Sequence, residues 1–407
     1  MNQTPPMPRL TTTSPAGTCA STTIHDRRTS TRRAPRALML LVALGLVLTL
    51  LPAMLPPGTG AAPLARAADG QDDGSAAASQ GGTALRAAAG GCRLTKILVP
   101  RCRGGVLTGA YVQPRAGESW VHAVRRFERS SGGRLGTVHL YYRGDDRFPS
   151  DVQKQALRQG GQGPRLLFAN WKVDDGYTWR EVAQGDADQR IRAQARYLKS
   201  AWNRKMFLTV HHEPEDEVVD TKGSGYTALA YRAMYRHVVD VFEDEGVTNV
   251  VWVMNYMGFE GWHLKPWFHQ LWPGARYVDW IAYDSYMSQD LGGYDPDGLR
   301  GLLNRHWSSD WRGFYRWATH RHPHKPLMLG EWGLGERPGR PRWKGSFLRK
   351  MGNRLATAPR LKAMMYFDHD EAAIAGDVTI DTSARSLRGF RVLRRSDPVA
   401  SVVPISG

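Results

Sequence analysis

From Val106 onward, short apolar runs alternate with longer polar stretches, and the alternation repeats eight times. The runs are Leu107–Val112, Thr137–Tyr142, Arg165–Ala169, Met206–Val210, Asn249–Met254, Val278–Tyr283, Pro326–Leu329 and Ala363–Phe367. They are β-branched or aromatic and nearly continuous in apolar character, which predicts strands buried on both faces, as in a parallel sheet. Between them, Trp120–Ser130, Ala187–Lys199 and Tyr226–Glu245 space their apolar residues at helical intervals. Eight such βα units in roughly 290 residues match a closed (βα)8 TIM barrel, an α/β fold, better than an open doubly wound sheet. An open sheet would also call for a glycine-rich phosphate loop, and neither G-x-G-x-x-G nor a Walker motif occurs.

The pattern before Val106 is different. Residues 1–36 are rich in Thr, Ser, Pro and Arg without apolar periodicity and read as a basic disordered leader. An unbroken apolar run, Ala37 to Leu51, follows Arg27, Arg28, Arg32, Arg33 and Arg36 and precedes an A-x-A pattern at Ala65-Arg66-Ala67, so 37–67 read as a signal peptide. Extended through Leu55, the same run makes an uncleaved anchor the alternative. Residues 68–91 form an Ala/Gly/Ser-rich flexible linker, 92–395 the barrel, and 396–407 a disordered tail. Export is the expectation, with a secreted chain held to wall or membrane as a variant of it. In an oxidising compartment Cys92 and Cys102, on the exported side, should join, while Cys19 lies in the leader.

Composition is ordinary for a globular chain, with 42% hydrophobic and 23% charged residues, but the net charge of +17 is not. Six Arg against one Asp in 1–36, and two Arg against three Asp in 37–90, leave +13 on 91–407. Such a surface favours polyanions. No zinc-finger spacing, aromatic RNA-binding signature or lysine-dense stripe is present, which argues against nucleic acid. A solvated basic face remains, with acidic cell-wall polymers as the polyanion an exported chain would meet.

Barrels place working residues at the C-terminal ends of their strands. Here those ends carry Asn170-Trp171, His212-Glu213, Asn255-Tyr256, Asp284-Ser285-Tyr286, Glu331-Trp332 and Asp368-His369-Asp370. Carboxylates together with aromatic rings describe a sugar site, because carboxylates act on the glycosidic bond and rings stack on sugar faces. The 118 residues from Glu213 to Glu331 allow three intervening βα units, placing the two acids after strands four and seven. Asn255 and Tyr256 join Trp171 and Trp332, which abut strand ends, as substrate-binding candidates. Trp262 and Trp267 are weaker platforms, since several of the 14 Trp must be core. A metal set drawn from His211, His212, Asp368, His369 and Asp370 is the competing reading, but no H-E-x-x-H supports it.

The strings FLTVHHEPEDE, NVVWVMNYM, LWPGARYVDWIAYDSYM and KPLMLGEWG, in that order, resemble glycoside hydrolase family 26, which includes β-mannanases. The resemblance spans most of 106–370 and implies a retaining (βα)8 glycosidase. It makes Glu213 the general acid/base, Glu331 the nucleophile, and His212, Asp284 and Tyr286 supporting residues, with no metal or cofactor and a polysaccharide substrate. Two departures touch specificity. Pro214-Glu215-Asp216 follows the His-Glu pair where family members often carry an Asn, and Phe367-Asp368-His369-Asp370 ends strand eight where many sugar-cleaving barrels place a Trp. The expected activity is therefore hydrolysis of a mannan- or β-glucan-like polysaccharide. The rival expectations are a catalytically inactive wall-bound carbohydrate-binding protein and a metal-dependent hydrolase.

Overall fold

Each apolar run becomes a parallel strand in the computed structural model, which describes residues 92–158, 165–288, 298–370 and 376–400. The strands are β1 (Leu107–Val112), β2 (Thr137–Arg143), β3 (Leu166–Lys172), β4 (Met206–Val210), β5 (Val250–Tyr256), β6 (Trp280–Met287), β7 (Leu327–Leu334) and β8 (Leu361–Asp368). Neighbours in sequence pair in order, and β8 pairs with β1 from Leu107↔Ala363 to Val112↔Asp368, closing the barrel. The helices predicted on the outside form at Trp120–Ser131, Asp188–Ala201 and Ala228–Asp244. Ser119 and Thr227 cap the first and third by accepting from the backbone N–H of His122 and Ala230.

The barrel has two apolar layers because side chains alternate along each strand. Outward residues such as Val138, Leu167, Leu208 and Leu329 pack under the helices. Inward residues, among them Phe168, Phe207, Val251, Trp280, Met328 and Met365, fill the lumen. At the N-terminal end of the strands the lumen is stopped by the segment that precedes β1. Cys92 and Leu98 belong to the lumen cluster, and the Trp280 indole N–H donates to Ile97 O at 2.6 Å. Cys92 and Cys102 are disulfide-bonded, as the sequence predicts, so the plug is covalently closed on itself. A filled, plugged lower half leaves the C-terminal rim as the open end.

The predicted disorder from residue 396 needs correction at its start. Asp397–Ala400 is helical, Val399 is buried, and Val106 N–H donates to Pro398 O at 2.8 Å. That apolar side chain and that backbone bond to the entry of β1 help hold this turn, and neither shows as periodicity. The leader, signal and linker segments at 1–36, 37–67 and 68–91, and residues 401–407, lie outside the described residues. Among the described residues no helix is long and apolar enough to cross a membrane.

Candidate active site

At the end of β4 the chain turns through two non-glycine residues in the left-handed region, His211 (φ 52°) and Glu213 (φ 50°). Such conformations are costly and persist only where neighbours impose them. Here His211 N–H donates to Trp171 O at 2.9 Å and Glu213 N–H to Asn255 O at 3.0 Å, so β3 and β5 hold the turn from both sides. Pro214 then opens a short 3-10 turn, Pro214–Glu217, where its missing N–H costs nothing. The result aims His212 and Glu213 into the mouth while His211 turns outward onto Asp174, at 2.7 Å.

Glu331 arrives by a different device. Between Leu329 and Trp332 the pairing of β7 with β8 slips, and on the β6 side Leu329 opposite Tyr283 is followed by Glu331 opposite Asp284. The bulge makes two consecutive residues, Gly330 and Glu331, face inward. Only glycine fits the first position: a Cβ at Gly330 would stand 1.9 Å from Asn255 Oδ1 and 2.8 Å from Asp284 Oδ1. Glu331 then receives two phenols. Tyr141 at the end of β2 donates to Oε1, and Tyr286 of β6 donates to Oε2 at 2.5 Å.

His212 links the two acids. Its Nε2 lies 3.8 Å from Glu213 Oε2 and 3.6 Å from Glu331 Oε1, so those oxygens are no farther apart than the two distances together. The Asn170 side-chain amide meets His212 Nδ1 at 2.5 Å. An amide N–H donating there leaves the proton on Nε2, between the carboxylates. Burial, with the charges of His211 and Lys172, brings the pKa of His212 down to about 3, so the ring is neutral.

Three carboxyls crowd this mouth. Burial first, then the charge of Glu331, raises Glu213 well above the ordinary range. Asp284 is raised likewise, by burial and by Glu331 and Glu213. Burial also raises Glu331, but the Tyr141 and Tyr286 hydroxyls pull it back. The charges of Glu213 and Glu331 both bear on Asp284, so these buried carboxyls resist ionising together. Asn255 donates its amide to Asp284 Oδ2 at 2.7 Å and fixes that side of the cluster. The arrangement sets Glu331, whose rise the two phenols hold back, against Glu213 and Asp284, which are raised well above the ordinary range.

Of the sequence candidates, the structure brings together Glu213, Glu331, His212, Asp284 and Tyr286, with Asn255 as a buried support of Asp284 rather than a surface for substrate. It removes the three aromatic candidates. Trp171 is fully buried and donates its indole N–H to Gly144 O at 2.9 Å. Tyr256 packs on Phe268, Phe314 and Trp317, and Trp332 meets Tyr366 edge-on under the outer helices. Each sits one residue after an inward side chain, still inside a strand, and so points out of the barrel. Trp267 is buried as well, and Trp262 donates to Met257 Sδ at 3.0 Å.

The residue missed was Tyr141. It lies two positions beyond His139 and four beyond Thr137 on the inward face of β2, so period-two counting to the strand end would have found it. The metal set does not converge. His211 faces Asp174 and Glu217, and His212 faces the site carboxyls. Asp368 accepts from Ile380 N–H, while His369 stacks on Phe367. Asp174, His211 and Glu217 do cluster, but the two carboxylates meet opposite nitrogens of one ring, which cannot share one ion.

No protein-family model matches the chain. Endoglucanase H of Acetivibrio thermocellus is 24% identical over 308 residues, 70% of this chain and 30% of that protein, so the chain spans under a third of its relative's length. Among solved structures, a ruminal GH26 endo-β-1,4-mannanase superposes with a TM-score of 0.49 at 15% identity, covering 75% of this chain and 66% of the other. The chain is similar to family 26 glycoside hydrolases. A β-mannanase from a symbiotic protist of the termite Reticulitermes speratus, solved with a gluco-manno-oligosaccharide, gives 0.47 at 14% identity over 75% and 96% of the two chains. An engineered protein reaches 0.50 at 17% identity over 73% and 70%. At 17% identity that last likeness speaks to the shared barrel alone.

Proposed function

We propose that the chain is an exported endo-acting β-glycanase that cleaves mannan- or β-glucan-like polysaccharide with retention of configuration. The observation that carries this is the pairing across His212: Glu331 clasped by two tyrosine hydroxyls on one side, the proton-holding Glu213 on the other. In the first step a Glu331 oxygen bonds to the anomeric carbon as the glycosidic C–O bond breaks, and Glu213 gives its proton to the departing sugar oxygen. In the second, Glu213 takes a proton from water, the resulting hydroxide bonds to the anomeric carbon, and the Glu331 ester bond breaks. Tyr141 and Tyr286 stabilise Glu331 as it leaves, and neutral His212 stands between the two carboxylates without adding a full charge.

The names of the similar proteins, mannanases and an endoglucanase, support a β-linked glycan as substrate. Purified chain tested on mannan, mixed-linkage β-glucan and β-xylan should release oligosaccharides from at least one. Glu331→Ala should stop turnover but keep glycan binding, with azide restoring product of inverted configuration. Full activity in Glu331→Ala overturns the assignment. The +13 charge on residues 91–407 supports retention at acidic wall polymers after export. Such retention should be reversed near 1 M salt, where the screening length falls to roughly 3 Å.

A further inference from the structure

An aromatic side chain does reach solvent beside the acid, and it is none of those that adjoin the strand ends. Trp307 is 56% exposed, in a molecule whose large rings are otherwise mostly interior. It stands on the loop after the short helix Leu299–Leu303, beyond β6, and Phe259, on the loop that follows β5, meets it edge-on at 4.8 Å between centroids. The loop is firmly placed. Buried Glu260 accepts from the backbone N–H of Trp307 at 2.6 Å, from that of Ser308 at 3.2 Å, and from the Ser308 hydroxyl. Gly258, at φ 70°, lets the β5 loop run against β6, where a Cβ would stand 2.4 Å from Asp284 O.

Arg305 completes the wall. Its Nη1 donates to Tyr286 O at 2.9 Å, and its guanidinium carbon lies 6.0 Å from the Trp307 centroid. Its Nη2 has no hydrogen-bond partner among the described residues, although the atom is buried. A buried donor without a partner is expensive, and a ligand oxygen would relieve it. Glu213, Phe259, Tyr286, Arg305 and Trp307 line one small cavity, and Glu331 is not part of its wall. Asp284 also lines the cavity, which reaches the acid and stops short of the nucleophile, the placement expected of the departing side of the scissile bond.

We propose that Trp307 and Arg305 form a binding site for the sugar ring on the leaving side of the cleaved bond. The exposed Trp307 face stacks on the apolar face of that ring, and Arg305 Nη2 donates to one of its hydroxyls. The inference rests on the glycanase reading, in which Glu213 is the proton donor to the leaving group. It goes further in assigning a residue that selects for substrates extended in that direction.

The test compares two substrates in wild type, Trp307→Ala and Trp307→Phe: soluble β-glycan, and a glycosyl fluoride, whose leaving fluoride has no ring to stack. Trp307→Ala should raise KM on the glycan about tenfold with kcat little changed, the scale of one lost aromatic stacking contact. Its kcat/KM on the glycosyl fluoride, which leaves that site empty, should move by less than about twofold, and Trp307→Phe should recover much of the glycan KM. Equal losses on both substrates, or an unchanged KM on glycan, would overturn the site while leaving hydrolysis in place. Wild-type protein that cleaves neither substrate would instead overturn the glycanase reading, and the site with it.

Discussion

Tyr141 and Glu331 are 190 positions apart in sequence, yet the phenol of one donates directly to the carboxylate of the other. The bond opposes the burial that raises Glu331, so it helps keep that carboxylate ionised where water is scarce. Tyr141→Phe should therefore cost about ten- to a hundredfold in kcat/KM, the equivalent of about 1.5–3 kcal/mol for one hydrogen bond to a charged group. The pH profile carries a second signature. Losing a donor that lowers the Glu331 pKa should move the acid limb of activity to higher pH. An unchanged acid limb in Tyr141→Phe would show that the contact does not tune the carboxylate.

The barrel was legible because all eight strands are buried on both faces, and continuous apolar runs such as Leu107–Val112 and Met206–Val210 became strands with those same limits. The site was legible where the chain leaves a strand abruptly, as at His212 and Glu213. It was misread where strands ran on. β3, β5 and β7 continue through Trp171, Tyr256 and Trp332, and a residue inside a strand is sent inward or outward by the pleat rather than toward the rim. The bulge that turns both Gly330 and Glu331 inward has no sequence signal beyond the glycine itself. Trp307 was invisible for the opposite reason, since it lies far along a loop whose course follows from bonds to Glu260.

Gly330→Ala tests the bulge. A methyl group at 1.9 Å from Asn255 Oδ1 must displace either that side chain or the strand. Loss of about 1–3 kcal/mol in stability is expected from overpacking, with activity falling further because Asp284 loses its amide partner. Denaturant unfolding and kinetics on one preparation would check both, and a variant as stable and active as wild type would mean the mouth has room that the geometry denies.

Glu215 should impose a pH dependence on stability. It is fully buried, accepts from Met257 N–H at 3.0 Å, and burial raises its pKa from 4.5 to about 8. The folded state then holds a proton that the unfolded chain releases. The stability this proton brings is complete below pH 4.5, declines as pH rises, and is gone above about pH 8. Glu215→Gln, neutral at every pH, should flatten that decline. Unfolding free energies across this window would reveal it, and parallel curves for variant and wild type would contradict a buried neutral Glu215.

The plug below the barrel should matter for stability and not for chemistry. Replacing Cys92 and Cys102 by Ser frees the segment that holds Leu98 under Trp280. The loss should be about 3 kcal/mol at most on chain-entropy grounds. Turnover at low temperature should be unaltered, because the site lies at the opposite end of the strands, and a kcat that falls with folding intact would point to coupling through the lumen.

The division of labour between the two acids is open to a single kinetic comparison. Glu213→Ala, which removes the proton donor but leaves Glu331 and its two tyrosines in place, should lose most activity on polysaccharide. On an aryl glycoside whose phenol departs unaided, the glycosyl-enzyme should still form and then accumulate, because water has lost its base. A burst of phenol close to one equivalent per enzyme, followed by slow turnover, is the result expected. Equal losses on the two substrates with no burst would mean that Glu213 neither donates nor accepts the proton.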